Sequence, residues 1–96
     1  MFSLYGADSN INGPHLIYKT NTDTYGVFQQ LNWAHDNVSM NFDCYFDGSN
    51  FINCNATAYQ IYKIAGSLYF NYGVATVGST FPKQTAMIIT QLGRVG

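Results

Sequence analysis

The sequence predicts an all-β protein, an antiparallel β-sandwich of jelly-roll type with six to eight strands. Two observations carry this expectation and a third supports it. Turn-forming groups recur at short intervals: Asn12-Gly13-Pro14, Thr24-Tyr25-Gly26, His35-Asp36-Asn37, Asp47-Gly48-Ser49, Ala65-Gly66-Ser67, Gly78-Ser79 and Gly93. The segments between them are rich in Val, Ile, Thr, Tyr and Phe, which suit a pleated surface. No stretch combines a 3.6-residue apolar period with capping residues, so helices are not expected.

The most regular segment is Val38 to Phe46. Val38, Met40, Phe42, Cys44 and Phe46 alternate with Ser39, Asn41, Asp43 and Tyr45, which predicts one strand with the first set on the core face. Leu68, Phe70 and Tyr72 against Tyr69 and Asn71 predict a second. Tyr59 to Ile64 precedes it across Ala65-Gly66-Ser67, a hairpin in which Gly66 supplies the unusual backbone angle. Leu16 to Thr20, Val27 to Trp33 and Ala86 to Thr90 are strands of less regular alternation. Gly73 to Lys83 reads as irregular or edge structure, because Pro82 cannot sit in a central strand. Residues 1–12 are expected to be an N-terminal edge or linker segment, and residues 13–96 a single sandwich module without internal repeats.

Composition narrows the function. Hydrophobic residues make up 47% and aromatics 17%, enough for a core, while charged residues are only 9% against roughly 25% in an ordinary soluble domain. A compact monomer of this mass exposes about 5,500 Å². Nine charged side chains cover that area thinly. Neutral Asn, Thr and Ser do part of the solubilising; the eight Tyr and seven Phe predict that much of the surface is buried against other copies. A net charge of −1 with four Lys and Arg argues against a nucleic-acid partner. No apolar run approaches the ~20 residues of a membrane span, so no membrane insertion is expected. Met1 to Gly6 is too short and lacks the basic flank of a secretory signal.

Candidate chemistry is sparse, and neither cofactor nor metal is expected. His35-Asp36 has the residue types of a base and its orienting carboxylate, but no nucleophile elbow accompanies it, and Asp36 and Asn37 are expected to fold the turn instead. Asp43 and Asp47 on one strand face would stand roughly 13 Å apart, too far for a glycosidase pair. Cys44 is expected to be a reduced, buried small hydrophobe, with a Cys44–Cys54 bridge as the alternative. A zinc site at these cysteines would need His15 or His35 at a spacing the sequence does not offer. Tyr25, Trp33, Tyr45 and Tyr62 are candidates for a subunit interface or for stacking on sugar rings. Asn37-Val38-Ser39 and Asn55-Ala56-Thr57 match the glycosylation acceptor pattern, at Asn37 and Asn55.

Several phrases together suggest a family. They are Gly13-Pro14-His15-Leu16, then Phe28 to Ser39 (FQQLNWAHDNVS), Phe42 to Gly48 (FDCYFDG), Tyr59 to Lys63 (YQIYK), Ala86 to Thr90 (AMIIT) and Gly93 to Gly96 (GRVG). Over residues 12–96 the chain resembles modules of fibre-like proteins from phages and large DNA viruses, which often precede an intramolecular chaperone domain. Those modules usually carry a small non-cysteine residue where Cys44 stands, which supports its reading as a packing residue. They tend to continue beyond the final Gly-x-Val-Gly into the chaperone. For this sequence a cleaved chaperone, a fragment and a stand-alone subunit are the alternatives. The resemblance implies a homotrimer or filament at the virion surface or otherwise extracellular, with host attachment and a host-surface glycan as a further expectation. It transfers no catalytic residue. The expected function is that of a structural fibre subunit, with a receptor- or carbohydrate-binding module at a fibre tip as the alternative.

Overall fold

The computed structural model describes residues 16–18, 20–23 and 26–96. The expected linker segment 1–12, His15 and Tyr25 lie outside these. The described chain forms eight strands: β1 (Leu16–Tyr18), β2 (Phe28–Ala34), β3 (Asn37–Phe42), β4 (Cys44–Phe46), β5 (Phe51–Asn53), β6 (Thr57–Ile64), β7 (Ser67–Val74) and β8 (Gln84–Ile89). Six of them make one antiparallel sheet in the order β1-β2-β3-β6-β7-β8, and β4-β5 make a second, smaller sheet. The all-β, antiparallel, two-layer expectation is met. The connectivity is an up-and-down meander, into which the β4-β5 hairpin is inserted between β3 and β6, and not the Greek-key order of the expected jelly roll.

The insertion begins at Asp43, whose φ of 53° places it in the left-handed region that Asp tolerates better than most residues. Its N–H donates to Val27 O and its carbonyl accepts from Cys54 N, at 2.9 and 2.8 Å. The chain thereby leaves the large sheet after Phe42 and enters the small one at Cys44. One expected strand is therefore two, with a phase change between them. Cys44 is fully buried as predicted, but in β3 the phase is opposite to the expected one. Ser39 and Asn41 are fully buried, while Met40 and Phe42 are each 38% exposed.

The same inversion occurs in β7, where Asn71 is buried and Tyr72 is exposed. Its cause is visible in the register. Gln29 faces Asn41, Asn41 faces Gln60, Gln60 faces Asn71 and Asn71 faces Thr85, so one row of neutral polar side chains crosses five strands on a single face. Thr85 Oγ1 donates to Asn71 Oδ1, Asn71 Nδ2 to Gln60 Oε1, Gln60 Nε2 to Asn41 Oδ1, and Asn41 Nδ2 to Ser39 Oγ, all within 2.8–2.9 Å. At the end of the row Asn41 Nδ2 donates to the backbone carbonyl of Gln29, and Gln29 Oε1 accepts from Phe46 N of the small sheet while its buried Nε2 is left unpaired. Amides that satisfy one another can be buried where isolated ones could not.

The small sheet and the segment after β7 cover this face. Cys44, Ala58 and Phe81 form a buried cluster with Phe51 packed against it. Residues 75–81, expected to be irregular, run beside β5: Phe81 N donates to Phe51 O, Asn53 N to Ser79 O, and Gly78 N to Asn53 O. Asn53, fully buried, donates from Nδ2 to Asn55 O and Gly73 O and so ties the bend at 54–56 to β7. Gly73 is required here for space. A Cβ on it would lie 2.7 Å from the Phe81 ring.

Candidate functional site

The opposite face of the large sheet is the most unusual surface of the molecule. In an antiparallel pair, directly opposed residues project from the same face. Tyr18 faces Phe28, Phe28 faces Phe42, Phe42 faces Tyr59 and Tyr59 faces Tyr72, so an aromatic row crosses five strands. Ring centroids of Tyr18 and Phe28 lie 5.9 Å apart, and those of Phe28 and Phe42 lie 5.4 Å apart edge-on. A second row, two residues along, runs from Met40 through Ile61 and Phe70 to Met87. A third runs from Val38 through Lys63 and Leu68 to Ile89. No described element covers these rows. Tyr18 is 59% exposed and Tyr59 56% exposed.

Charge is almost absent from this face. Lys63 stands at its end and is neutralised by Asp36, Nζ to Oδ1, at 2.6 Å. Asp36 sits at φ 62° in the β2-β3 turn, and its carboxylate also accepts from Gly66 N, at 3.0 and 3.1 Å. Both interactions hold the carboxyl below its ordinary range, the Lys63 bond more than the Gly66 amide. The expected turn-forming role of Asp36 is thus realised across elements: it clamps its own turn to the neighbouring Ala65-Gly66 turn, where both residues have positive φ. Its carboxylate is committed to Lys63 and Gly66, and His35 is exposed beside it.

The other expected positions divide. Trp33 and Tyr62 come together, but on the covered face. Trp33 packs edge-on against Phe46 at 5.0 Å and Phe51 at 6.2 Å, and its ring lies 6.4 Å from Tyr62. Tyr62, buried, donates its hydroxyl to Asn37 Oδ1, and burial pushes its phenol up. Tyr45 stands between Cys44 and Phe46 on β4 and is half-buried. Of the two acceptor motifs, Asn37 lies within β3 with its carboxamide bonded to Tyr62 and Ser39 buried, whereas Asn55 is exposed in the bend before β6. Asp43 and Asp47 are separated by the whole of β4 and do not converge; Asp47 accepts from Ser49 N and Asn50 N and folds the hairpin turn. Cys44 and Cys54 are separate thiols, pushed up to about 12 and about 11 chiefly by burial. Among the described residues no three His, Cys, Asp or Glu side chains gather as a metal site. No helix of the described residues is long and apolar enough to cross a membrane.

A cleft of about 380 Å³ opens where the small sheet stops short of β7 and β8. Phe51, Tyr62 and Tyr69 give it aromatic walls, and Asn71, Thr85 and Lys83 bring amide, hydroxyl and ammonium groups. The aromatic face itself escaped the sequence reading because alternation was taken to mean apolar inside. One signal could have found it. Gln29, Asn41, Gln60 and Asn71, each next in sequence to a ring of this face, are neutral amides that can pair across strands.

Comparison with models of protein families, with curated proteins and with solved structures found no match.

Proposed function

We propose that the chain is a structural subunit that assembles with its own copies through the open sheet face, the kind of module from which a viral or phage fibre, or a similar extracellular filament, is built. The aromatic row from Tyr18 to Tyr72 carries this reading. Monomeric soluble proteins seldom expose apolar patches beyond a few hundred Å². The positions of the three rows, at ~4.8 Å between strands and ~6.8 Å between rows, outline on the order of 400 Å² before side-chain relief is counted. That is about half of the roughly 800 Å² each partner contributes to a standard interface. A like face meets the need, because it too is apolar and, among the described residues, its one ammonium is already neutralised. The test is sedimentation of the wild type beside Phe42→Asp. Assembly of the wild type and its loss in the variant are expected; a monomeric wild type would overturn the reading.

The cleft beside the small sheet favours a second reading, carbohydrate binding, in which Tyr69 and Phe51 stack on a sugar ring while Asn71, Thr85 and Lys83 bond its polar groups. A glycan array probed with wild type and Tyr69→Ala tests it. Binding to defined glycans that the variant loses would support it, and an array without signal would remove it.

A further inference from the structure

The open face is not flat. On β8 the register slips, so that Phe70 faces Met87 and Asn71 faces Thr85, with Ala86 as the extra residue of a β-bulge. The bulge places the small Ala86 between Gln84, which faces Tyr72, and Met87, which faces Phe70. A depression of about 280 Å³ results, walled by Phe42, Tyr59, Ile61, Phe70 and Tyr72 with Ala86 at its far side. Its exposed lining is apolar, and nothing in it invites a polar ligand.

Beside this depression stands Tyr59, 56% exposed against 38% for Phe42 and 37% for Tyr72, the neighbours that face it. Knob and hole are thus adjacent on one surface. Two copies brought face to face satisfy both at once, each inserting its ring into the other, which is the self-complementarity an isologous contact requires. A tyrosine suits the site, since its ring fills apolar space while its hydroxyl can reach the wet rim.

We propose that the Ala86 depression is a socket for Tyr59 of a second copy, and that this insertion sets the register of the assembly. The inference rests on the assembly reading above. The test is a sedimentation concentration series on wild type, Tyr59→Ala, Ala86→Leu and Met40→Asp, the last lying on the same face outside the socket. Tyr59→Ala and Ala86→Leu are each expected to weaken association at least tenfold with the β-sheet circular dichroism unchanged. As a second measurement, chains carrying Tyr59→Cys are mixed with chains carrying Ala86→Cys and oxidised, and peptide mapping is expected to find the mixed 59–86 disulfide. A wild type that stays monomeric overturns both the socket and the assembly reading. A wild type that assembles and is broken by Met40→Asp, yet is indifferent to both socket variants and yields no 59–86 cross-link, overturns the socket alone.

Discussion

Gln60 donates from Nε2 to Asn41 Oδ1 at 2.8 Å across β6 and β3, and each of these side chains is at most 1% exposed. A polar row therefore occupies the centre of the covered face, where the sequence leads one to expect hydrocarbon. Because Gln60 also accepts from Asn71, replacing it strands two partners at once. Gln60→Leu is expected to cost more than a single bond, about 1–3 kcal/mol for each buried group left unpaired. Chemical denaturation checks this, and a neutral or stabilising effect would show that the row is not sealed from water.

That row also explains what could be read from the sequence. Turn chemistry was informative: Asp47-Gly48, His35-Asp36 and Ala65-Gly66 all fall at chain reversals, because their backbone needs are local. Burial of Cys44 was expected from the alternation of Val38 to Phe46, and it holds because the phase break at Asp43 falls just before it. The facing of β3 and β7 was not. Asn41 and Asn71 are buried where Gln60 and Thr85, distant in sequence, arrive opposite them with matching donors and acceptors, and Ser39 accepts from Asn41 on its own strand. The phase break at Asp43 is likewise set by its tertiary bonds to Val27 and Cys54. Of the four aromatics singled out, Trp33 and Tyr62 lie in the covered layer, while Phe42 and Tyr59, read as strand residues only, stand on the open face.

Phe42 measures the inverted phase. A core Phe cut to Ala costs about 3–5 kcal/mol. With 38% of its surface exposed, Phe42→Ala is expected to cost the isolated chain well under that amount, and to reduce self-association instead. Thermal unfolding at high dilution separates the two effects, and a loss in the full core range would restore the original phase.

Asp36 introduces an acid-sensitive clamp. Its folded-state pKa lies below the ordinary 3.8, so its contribution is present above that value and is lost as pH falls through the lowered one. Asp36→Asn is expected to remove this part of the acid dependence and to lower the melting temperature modestly at neutral pH, while assembly persists. Melting curves from neutral pH to strong acid, wild type against variant, read the difference. Parallel curves would mean that the Lys63 and Gly66 contacts contribute nothing in solution.

The thiols act in the opposite pH range. Cys44 is pushed from 9.0 up to about 12 by burial, so the folded state holds its proton where the unfolded chain releases it. Stability is therefore expected to be full below pH 9 and to decline between about 9 and 12. At neutral pH, alkylation should be slow in the folded protein and complete at two thiols per chain once it is denatured without reductant. Recovery of a Cys44–Cys54 disulfide instead would place the protein in an oxidising environment.

Gly73→Ala tests how the segment after β7, residues 75–81, holds the second layer. The new methyl group would lie 2.7 Å from the Phe81 ring, which is buried and cannot swing away freely. A loss of about 1–3 kcal/mol is expected. An unchanged melting temperature would mean that residues 75–83 shift without cost.

The aromatic face from Tyr18 to Tyr72 is proposed above as the interface between copies of this chain. Native mass spectrometry of the wild-type protein at micromolar concentration, with each species counted in units of the 10.7 kDa chain, tests it most directly. The account predicts a defined multiple of the chain mass as the dominant species, and a soluble protein remaining at a single chain mass across the concentration range would contradict it.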